Sequence, residues 1–438
     1  MRNQSLSLLG RLMSCVLFAI TISPGSIQAQ KIHINDVRNF WSAYDHIVRT
    51  TSFDKQLEII NAEYLLIGSD GLKKFAKMMN YTDSSYVRAI TQYPKFWKSL
   101  RRKTDALESE NKKIAQYLAK LKTIYPDLKP AQLYLCMGLG NSGGKPIGND
   151  LVIGLELALG DSSINTTEYQ SQDKKDYYAS RASSDLQFVA VHEYIHTQQK
   201  RPSNNSVLTQ AIREGSCDFI AELVIEKPLD FDYIRYGYAN AKTVKQAFRK
   251  ELLSPIMDNW FYNSKVETVK DLGYFVGYDI CKKYYFNSKD KAKAIKDIIE
   301  IDYADDEEVF AFLNFSGYFQ EELNQKTEQS AFLLNCPTIE GIEPILTNGL
   351  ISADTEKIGI KFSKPMQNRI SIRPSEKGKD YFPLEEVIGF NGDNTTLWIS
   401  LDIIAKKEYE FIITDRSFRS ADGFPLQKEE YVIRFRVE

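Results

Sequence analysis

The sequence predicts an α+β protein in which a mainly helical region with a small sheet is followed by an all-β sandwich. Apolar residues recur at helical spacing over most of residues 31 to 332. Two compact apolar runs between residues 133 and 159 interrupt that pattern and are typical of strands. After Pro337 short alternating runs separated by turn residues replace the helical pattern, which is typical of a β-sandwich.

A chain of 438 residues is too long for one ordinary hydrophobic core, so we expect more than one domain. We predict a signal peptide at residues 1–29, a mainly helical domain at residues 30–335 and a sandwich domain at residues 336–438. This division follows the change from a signal-like N-terminus to helical periodicity and then to strand-like alternation of apolar residues.

The N-terminus has the pattern of a secretory signal. Basic residues precede a short apolar run, Val16 to Ile22, and Ala29 is a suitable residue before a cleavage site. Cys15 precedes the apolar run instead of following it, which disfavours a lipoprotein signal. We therefore predict an exported, periplasmic or extracellular protein with no membrane span in the mature chain.

The composition excludes several classes of partner. Lys and Arg number 56 against 58 Asp and Glu, so the net charge is −2 and no basic surface for nucleic acid or membrane is expected. Cys136, Cys217, Cys281 and Cys336 would remain after cleavage, and none of them forms a CxxC pair. The sequence does not distinguish disulfides from buried free thiols for these four cysteines.

Residues 31 to about 125 are predicted to be helical. Phe40, Trp41, Tyr44 and Ile47 recur at helical spacing near the start. Charged residues dominate between Lys98 and Lys122, and they are interpreted as the solvated face of a helix.

Strands are expected next, and then more helices. Leu133–Met137 and Leu151–Leu159 have strand-like apolar runs, and the Gly- and Asn-rich segment Gly138–Asn149 is predicted to be a loop between them. Helical patterns return at Ser184–Lys200 and Val207–Ile225.

The last hundred residues are predicted to contain short strands. Ile358–Phe362, Leu397–Leu401, Tyr409–Ile413 and Tyr431–Phe435 alternate as strands do, and turn residues such as Asp422-Gly423 separate such runs.

The motif His192-Glu193-Tyr194-Ile195-His196 predicts a zinc site on a helix. Residues four apart lie on one helix face, so both imidazoles can bind one ion, while Glu193 lies beside it as a general base. Because the chain has only 4 histidines, chance would produce this motif on the order of a few times in a thousand such sequences. The alternative is two core histidines with a solvated glutamate between them.

A carboxylate is expected as the third ligand. His33 and His46 are the only other histidines and no histidine follows His196, which excludes a downstream histidine ligand. Glu214 is the best candidate, and Asp218, one helical turn later, is predicted to accept a hydrogen bond from a ligand imidazole. Two histidines and one glutamate with an open position are typical of a catalytic zinc site.

Each carboxylate has an alternative interpretation. Glu214 could instead pair with Arg213 or Lys200 at the surface, and Asp218 could be an ordinary helix carboxylate. Glu222 continues the same helix face and is the second candidate for the third ligand.

The motif and its surroundings resemble the gluzincins, the thermolysin-like metallopeptidases. The chain more closely resembles Bacteroidetes-type exported proteins described as predicted zinc-dependent proteases and related to the gliding-motility lipoprotein GldB. This resemblance covers roughly residues 31 to 330 and includes Asn39 to Asp45, Tyr93 to Trp97 and Gly273 to Tyr278. It implies a mainly helical thermolysin-like metallopeptidase domain with a small sheet.

The C-terminal part is similar to bacterial Ig-like domains. Phe362-Ser363-Lys364-Pro365-Met366 resembles their F-S-x-P-M signature, with a late turn at Asp422-Gly423. The resemblance implies an Ig-like sandwich that spaces or docks the preceding domain, with cell-envelope partners bound through it.

The favoured function is a secreted zinc-dependent metallopeptidase that hydrolyses peptide or protein substrates, with Glu193 as general base. Leu151–Leu159 is the expected edge strand for the substrate, and Glu156 is a candidate for binding a substrate amino terminus. Tyr274 or Tyr278 is a candidate oxyanion donor, although packing between helices is the favoured interpretation of either residue. One alternative is a catalytically silent zinc-binding protein of the cell envelope that acts in secretion or motility. A zinc hydrolase acting on non-peptide substrates is a further alternative.

Overall fold

The computed structural model describes residues 31–181, 183, 185–201, 206–263, 269–344 and 348–438. The signal peptide predicted at residues 1–29 lies outside this described part. Helices and several small sheets are both present, which confirms the α+β class, whereas the thermolysin-like relationship stays a prediction. In the described part of the chain, no helix is both long and apolar enough to cross a membrane.

The N-terminal region is helical, as predicted. Its helices are α1 (Asn35–Ile47), α2 (Phe53–Ile60), α3 (Asp70–Met78), α4 (Asp83–Gln92), α5 (Pro94–Thr104) and α6 (Leu107–Ile124). Ser52, Ser69 and Thr82 begin α2, α3 and α4 by accepting backbone N–H groups with their hydroxyls. Tyr64 and Tyr86 are fully buried, and both hydroxyls donate to the carbonyl of Met137. These helices therefore support the small sheet that follows.

The small sheet contains β1 (Ile32–His33), β2 (Leu133–Cys136), β3 (Lys145–Ile147) and β4 (Asp150–Gly154), in the order β1-β2-β4-β3. The prediction of one strand over Leu151–Leu159 is wrong in two respects. The strand ends at Gly154, and β4 pairs with β2 on one side and β3 on the other, so it is not an edge strand. The edge strand on the β4 side of the sheet is β3, which lies in the segment predicted to be a loop.

The central and later helices surround this sheet. They are α7 (Leu155–Ala158), α8 (Gln172–Ala179), α9 (Leu186–His196), α10 (Val207–Ile225), α11 (Asp232–Ala239), α12 (Ala241–Glu251), α13 (Leu272–Asn287), α14 (Lys291–Glu300), α15 (Asp306–Ser316) and α16 (Gln325–Asn335). The apolar faces of α7 to α15 and of α1 to α6 share one large hydrophobic core, whereas α16 contributes to a smaller cluster.

The C-terminal region is strand-rich, as predicted. Its strands are β5 (Ile339–Glu343), β6 (Leu350–Ile351), β7 (Lys357–Phe362), β8 (Ile372–Pro374), β9 (Leu384–Phe390), β10 (Thr396–Leu401), β11 (Glu408–Thr414) and β12 (Glu430–Val437). They form two four-stranded sheets, β5-β7-β10-β9 and β6-β12-β11-β8. Alternate side chains from both sheets enter one core, for example Ile360, Phe411 and Phe435. The Ig-like relationship of this strand-rich region stays a prediction.

The two regions have separate main cores, with a small cluster between them. The last helix ends at Asn335 and β5 begins at Ile339, while Phe332, Cys336 and Phe424 form a small cluster of their own. The exact domain boundary at residues 335 and 336 remains a prediction. The four cysteines Cys136, Cys217, Cys281 and Cys336 are free and buried.

Candidate metal centre

The HExxH motif forms the last turns of α9. Asp185 caps this helix by accepting the N–H of Phe188 at 3.0 Å. Val191, Tyr194 and Ile195 are buried on the helix face that packs into the core. His192 and His196 therefore project together from the opposite side, and their ring centroids lie 4.9 Å apart.

Helix α10 supplies the third donor. Glu214 is 3% exposed, and its Oε2 lies 3.4 Å from Nε2 of His192 and 3.1 Å from Nε2 of His196. Zinc bound tetrahedrally by imidazole and carboxylate at about 2.0–2.1 Å would separate its ligand atoms by about 3.3 Å. Both observed nitrogen–oxygen distances match this separation, which is the spacing that a shared zinc ion requires of the carboxylate and each imidazole.

The other nitrogen of each ring is held by a hydrogen-bond partner. Nδ1 of His192 lies 2.8 Å from Oδ1 of Asp218, and Nδ1 of His196 lies 2.7 Å from Oε1 of Gln199. An acceptor at Nδ1 places the proton there and leaves Nε2 free to bind a metal. Asp218 is fully buried, and its second oxygen accepts the hydroxyl of Tyr233 at 2.9 Å.

Glu214 is also fixed on its outer side. Its Oε1 accepts from Nε2 of Gln210 at 2.9 Å and from the guanidinium of Arg213 at 3.1 Å. Arg213 therefore does pair with Glu214, but Lys200 pairs with Asp302 instead. The ion pair between Arg213 and Glu214 orients the Glu214 carboxylate within the centre, and this carboxylate stays buried.

The charges at the centre are strongly coupled in the absence of metal. Burial lowers the pKa of His192, but hydrogen bonds with Asp218 and Glu214 outweigh it and raise that pKa to about 10. Burial raises the pKa of Glu214, yet the two imidazoles hold it well below its ordinary value. A proton on His192 thus occupies the place that a metal ion would take.

Cys217 is a further sulfur donor near the histidines. His192, His196 and Cys217 offer ligand atoms within 4.8 Å of one another. The Cys217 thiol, however, lies 3.4 Å from Nδ1 of His196, the nitrogen that Gln199 also contacts. Burial raises the pKa of this thiol well above its ordinary value, which disfavours the thiolate that zinc requires. The set of two Nε2 atoms and Glu214 fits better.

Glu193 lies between the metal centre and the edge strand. A Cβ atom at Gly144, the residue before β3, would lie 2.6 Å from Cγ of Glu193. Only a glycine therefore lets the loop approach the glutamate this closely. Among the described residues, no hydrogen-bond donor contacts the Glu193 carboxylate.

Two of the other candidates are separated from the centre. The Tyr278 hydroxyl donates to Glu222 at 2.8 Å, and Lys282 binds both of them. Glu222 is thus held in this polar network, and the prediction that it could be the third ligand is not supported. Tyr274 lies closer, with its ring stacked on His192 at a centroid distance of 6.3 Å.

Glu156 has a structural role. It is 1% exposed, and its two oxygens accept the N–H groups of Gly138 at 2.7 Å and Gly140 at 2.9 Å. The carboxylate holds the loop between β2 and β3, which leaves it enclosed and unable to receive a substrate amino terminus.

Three supporting residues were not predicted. Gln199 follows His196 by three positions, in the turn just after α9 ends, so its spacing was a usable signal. Gln210 precedes Glu214 by four positions on α10, so its spacing was a usable signal as well. Tyr233 had no such signal, because only the packing of α11 brings it to Asp218.

No curated protein matches this chain. Two solved structures of the S-layer protein SbsC, described as domains 1-6 and as the N-terminal part, are similar at 13% and 14% identity. They cover 60% and 61% of this chain, with TM-scores of 0.18 and 0.17. The chain spans 37% and 65% of their lengths. Scores this low support no argument on fold or function.

The family comparison is more informative. The sequence profile described as gliding motility protein GldB matches residues 27–265, more than half of the chain. The matched part includes α9 and the metal-ligand positions of α10, and it ends before α13 and the strand-rich region. The chain therefore belongs to the family of the gliding motility protein GldB.

Proposed function

We propose that this chain is a zinc-binding protein of the cell envelope that acts in gliding motility or secretion, with His192, His196 and Glu214 as zinc ligands. The convergence of two Nε2 atoms on one carboxylate oxygen, at 3.1 and 3.4 Å, carries the proposal. Hydrogen bonds that the opposite ring nitrogens donate to Asp218 and Gln199 support it. The family description supports the role in motility.

Metal analysis of the purified protein tests the zinc site. We expect about one zinc per chain in the wild type and a loss of most of it in His196→Ala and Glu214→Ala. Glu222→Gln is the matched control, because Glu222 lies on the same helix but belongs to the network with Lys282. Equal zinc content in all four proteins would contradict the ligand assignment.

Peptide hydrolysis is the second candidate function, and the position of Glu193 favours it. The glutamate lies against Gly144, next to the free edge of β3, where an extended peptide could add as a further strand. When bound, zinc acts as a Lewis acid toward a carbonyl oxygen and toward water. Glu193 would accept a proton from the attacking water and pass it to the leaving amine. Tyr274 is the nearest tyrosine for stabilising the developing oxyanion.

The Glu193→Gln variant separates the two functions. If the protein is a peptidase, this variant keeps its zinc and no longer cleaves casein or a peptide library, whereas the wild type cleaves. If the wild type holds zinc and cleaves neither peptides nor simple esters, the silent envelope protein is the correct reading. Cleavage of esters alone would favour the non-peptide hydrolase.

The family comparison gives more support to the envelope protein than to the peptidase. The matching family is described by gliding motility and not by proteolysis. A chromosomal Glu193→Gln variant would link the two proposals. Normal motility in that strain, with motility lost in His196→Ala, would show that zinc matters and proteolysis does not.

A further inference from the structure

We infer that the strand-rich region is a positioning element of the candidate metal centre, which it influences through residues 251–263. This inference rests on the proposed zinc site. Residues 251–263, here called the bridging segment, run from the end of α12 to Tyr262 at the mouth of the centre. The region had been expected only to space or dock the helical part.

At its start the bridging segment is tied to the helix that carries Glu214 and Asp218. The N–H groups of Val207 and Leu208, the first residues of α10, donate to the carbonyls of Ser254 and Leu252 at 2.9 and 2.8 Å. The bridging segment and the ligand-bearing helix therefore keep a fixed relation at this end.

At its far end the segment contacts the centre itself. Phe261 lies directly against Gly273, and its ring is 5.8 Å from that of Tyr274. The side chains of Tyr262 and Tyr274 lie close enough for each hydroxyl to affect the pKa of the other. Because the ring of Tyr274 stacks on His192, Tyr274 links Tyr262 to a proposed metal ligand.

The backbone at this end is strained. Tyr262 and Asp271 have φ angles of +54° and +62°, in the left-handed region that non-glycine residues rarely adopt. The N–H of Tyr262 donates to Oδ1 of Asp271 at 2.6 Å, and the N–H of Asp271 donates to Asn263 at 2.8 Å. Such conformations persist only where surrounding contacts hold them, and they concentrate at functional sites. Tyr262 is nevertheless 72% exposed, so its side chain is accessible to a ligand.

The strand-rich region supplies contacts to the middle of the bridging segment. Leu253 packs on the cluster of Phe332, Cys336 and Phe424. Asp258 lies 3.3 Å from the guanidinium of Arg369. A Cβ atom at Gly423, which has a φ of +94°, would lie 3.3 Å from Nδ2 of Asn259, so the turn approaches the segment closely.

The contacting residues lie in or beside the sequence motifs noted in the C-terminal region. Met366 and Ser420 form a β-bridge, and the N–H of Ala421 donates to Pro365 at 2.7 Å. The loop of the F-S-x-P-M motif and the turn at Asp422-Gly423 therefore form one surface, which faces the helical part. Lys364 strengthens it by donating to the carbonyl of Asn335 at 2.6 Å.

Hydrogen exchange on the full-length protein tests the inference. Phe424→Ala removes a ring from the small cluster, and Asp258→Ala removes the ion pair from the helical side. We expect backbone exchange in peptides containing Phe261, Tyr262 and Gly273 to become on the order of tenfold faster in Phe424→Ala. A smaller increase is expected in Asp258→Ala, because the pair with Arg369 is exposed.

Control measurements separate positioning from unfolding and from the zinc proposal. Ile388→Ala, at an exposed position of β9, should leave exchange of the bridging segment unchanged. Exchange in β11 should also stay slow in Phe424→Ala. The inference would be overturned if exchange of the bridging segment were unchanged in both Phe424→Ala and Asp258→Ala. It would also be overturned if exchange in both variants increased equally throughout the protein, as global unfolding would produce.

Because the inferred role is to position the centre, zinc affinity measured by chelator competition should fall in Phe424→Ala and stay unchanged in Ile388→Ala, and equal affinities in all these proteins would overturn the inference. A wild type that binds no zinc would refute the zinc proposal, whereas the exchange results would still test the contact between the strand-rich region and the bridging segment.

Discussion

The two imidazoles of the candidate centre are oriented by chemically different partners. A charged carboxylate, Asp218, accepts the hydrogen bond of His192, whereas the neutral amide of Gln199 accepts that of His196. The amide is itself fixed, since its Nε2 donates to the carbonyl of Arg213 and the hydroxyl of Ser216 at 2.8 and 2.7 Å. Both rings are thus held in the tautomer that presents Nε2 to the metal.

Gln199→Ala is expected to lower the zinc affinity about 10- to 100-fold, because His196 loses the partner that fixes its tautomer. Competition with a chromogenic chelator measures this change. The adjacent Gln198→Ala is the control, since Gln198 contacts Lys129 and Thr197 and neither imidazole. An equal affinity loss in both variants would contradict a specific role for Gln199.

Zinc binding should release a proton from His192. In the metal-free protein the pKa of this imidazole is raised to about 10, so the ring is protonated at neutral pH. Zinc needs the neutral ring, and its apparent affinity should therefore rise about tenfold per pH unit between pH 7 and 9. Calorimetry in buffers of different ionisation enthalpy measures the proton released. A pH-independent affinity would contradict the coupling among His192, Asp218 and Glu214.

At the scale of elements, the centre depends on the close approach of α10 and α13. A Cβ atom at Gly277 would lie 1.6 Å from the carbonyl oxygen of Ala211, and one at Gly215 would lie 2.0 Å from the backbone nitrogen of Tyr278. The two helices therefore meet backbone to backbone. This contact places Tyr274, at the start of α13, beside the ligands on α9 and α10.

Gly277→Ala is expected to reduce the free energy of unfolding by about 3 kcal/mol, because the added methyl group must push the two helices apart. Denaturant titration followed by circular dichroism measures the loss. Gly341→Ala is the matched control, since no atom lies within 4 Å of a Cβ at that position. A loss of stability no greater than that of the control would show that the helices adjust without cost.

At the scale of the molecule, the metal would join two separate helices of the chain. His192 and His196 belong to α9, and Glu214 belongs to α10. A ligand that binds only the folded state raises its stability by mass action. The centre is therefore expected to stabilise the helical part as well as to provide chemistry.

Zinc at 1,000 times its dissociation constant should stabilise the protein by about 4 kcal/mol. Thermal denaturation with zinc, compared with denaturation in a chelator, measures this effect. His192→Ala should show the same melting temperature under both conditions. An identical melting temperature for the wild type with zinc and with chelator would contradict a metal site in the folded protein.

The sequence contained enough information for the helix–strand–helix order and for the change to strands after Pro337, because helical and strand periodicities differ. It was less informative about the sheet near the centre. Strand β3 has only three residues in a Gly- and Asn-rich segment, so no periodicity distinguishes it from a loop. The interior position of β4 follows from its pairing with β3 on one side and β2 on the other, and its last residue, Gly154, pairs with Cys136 of β2.

The sequence by itself determined the donor set of the candidate centre. The HExxH spacing puts two imidazoles on one helix face, and the lack of a later histidine leaves a carboxylate as the third ligand. Only the tertiary structure placed Glu214 beside the two imidazoles and Glu222 in the network with Tyr278 and Lys282, because this depends on how α9 and α13 cross α10. It also assigned Gln199, Tyr233 and Glu156 their roles, since these depend on which elements meet in space. Spacing along one helix is local, whereas the contacts between helices depend on how the whole core packs.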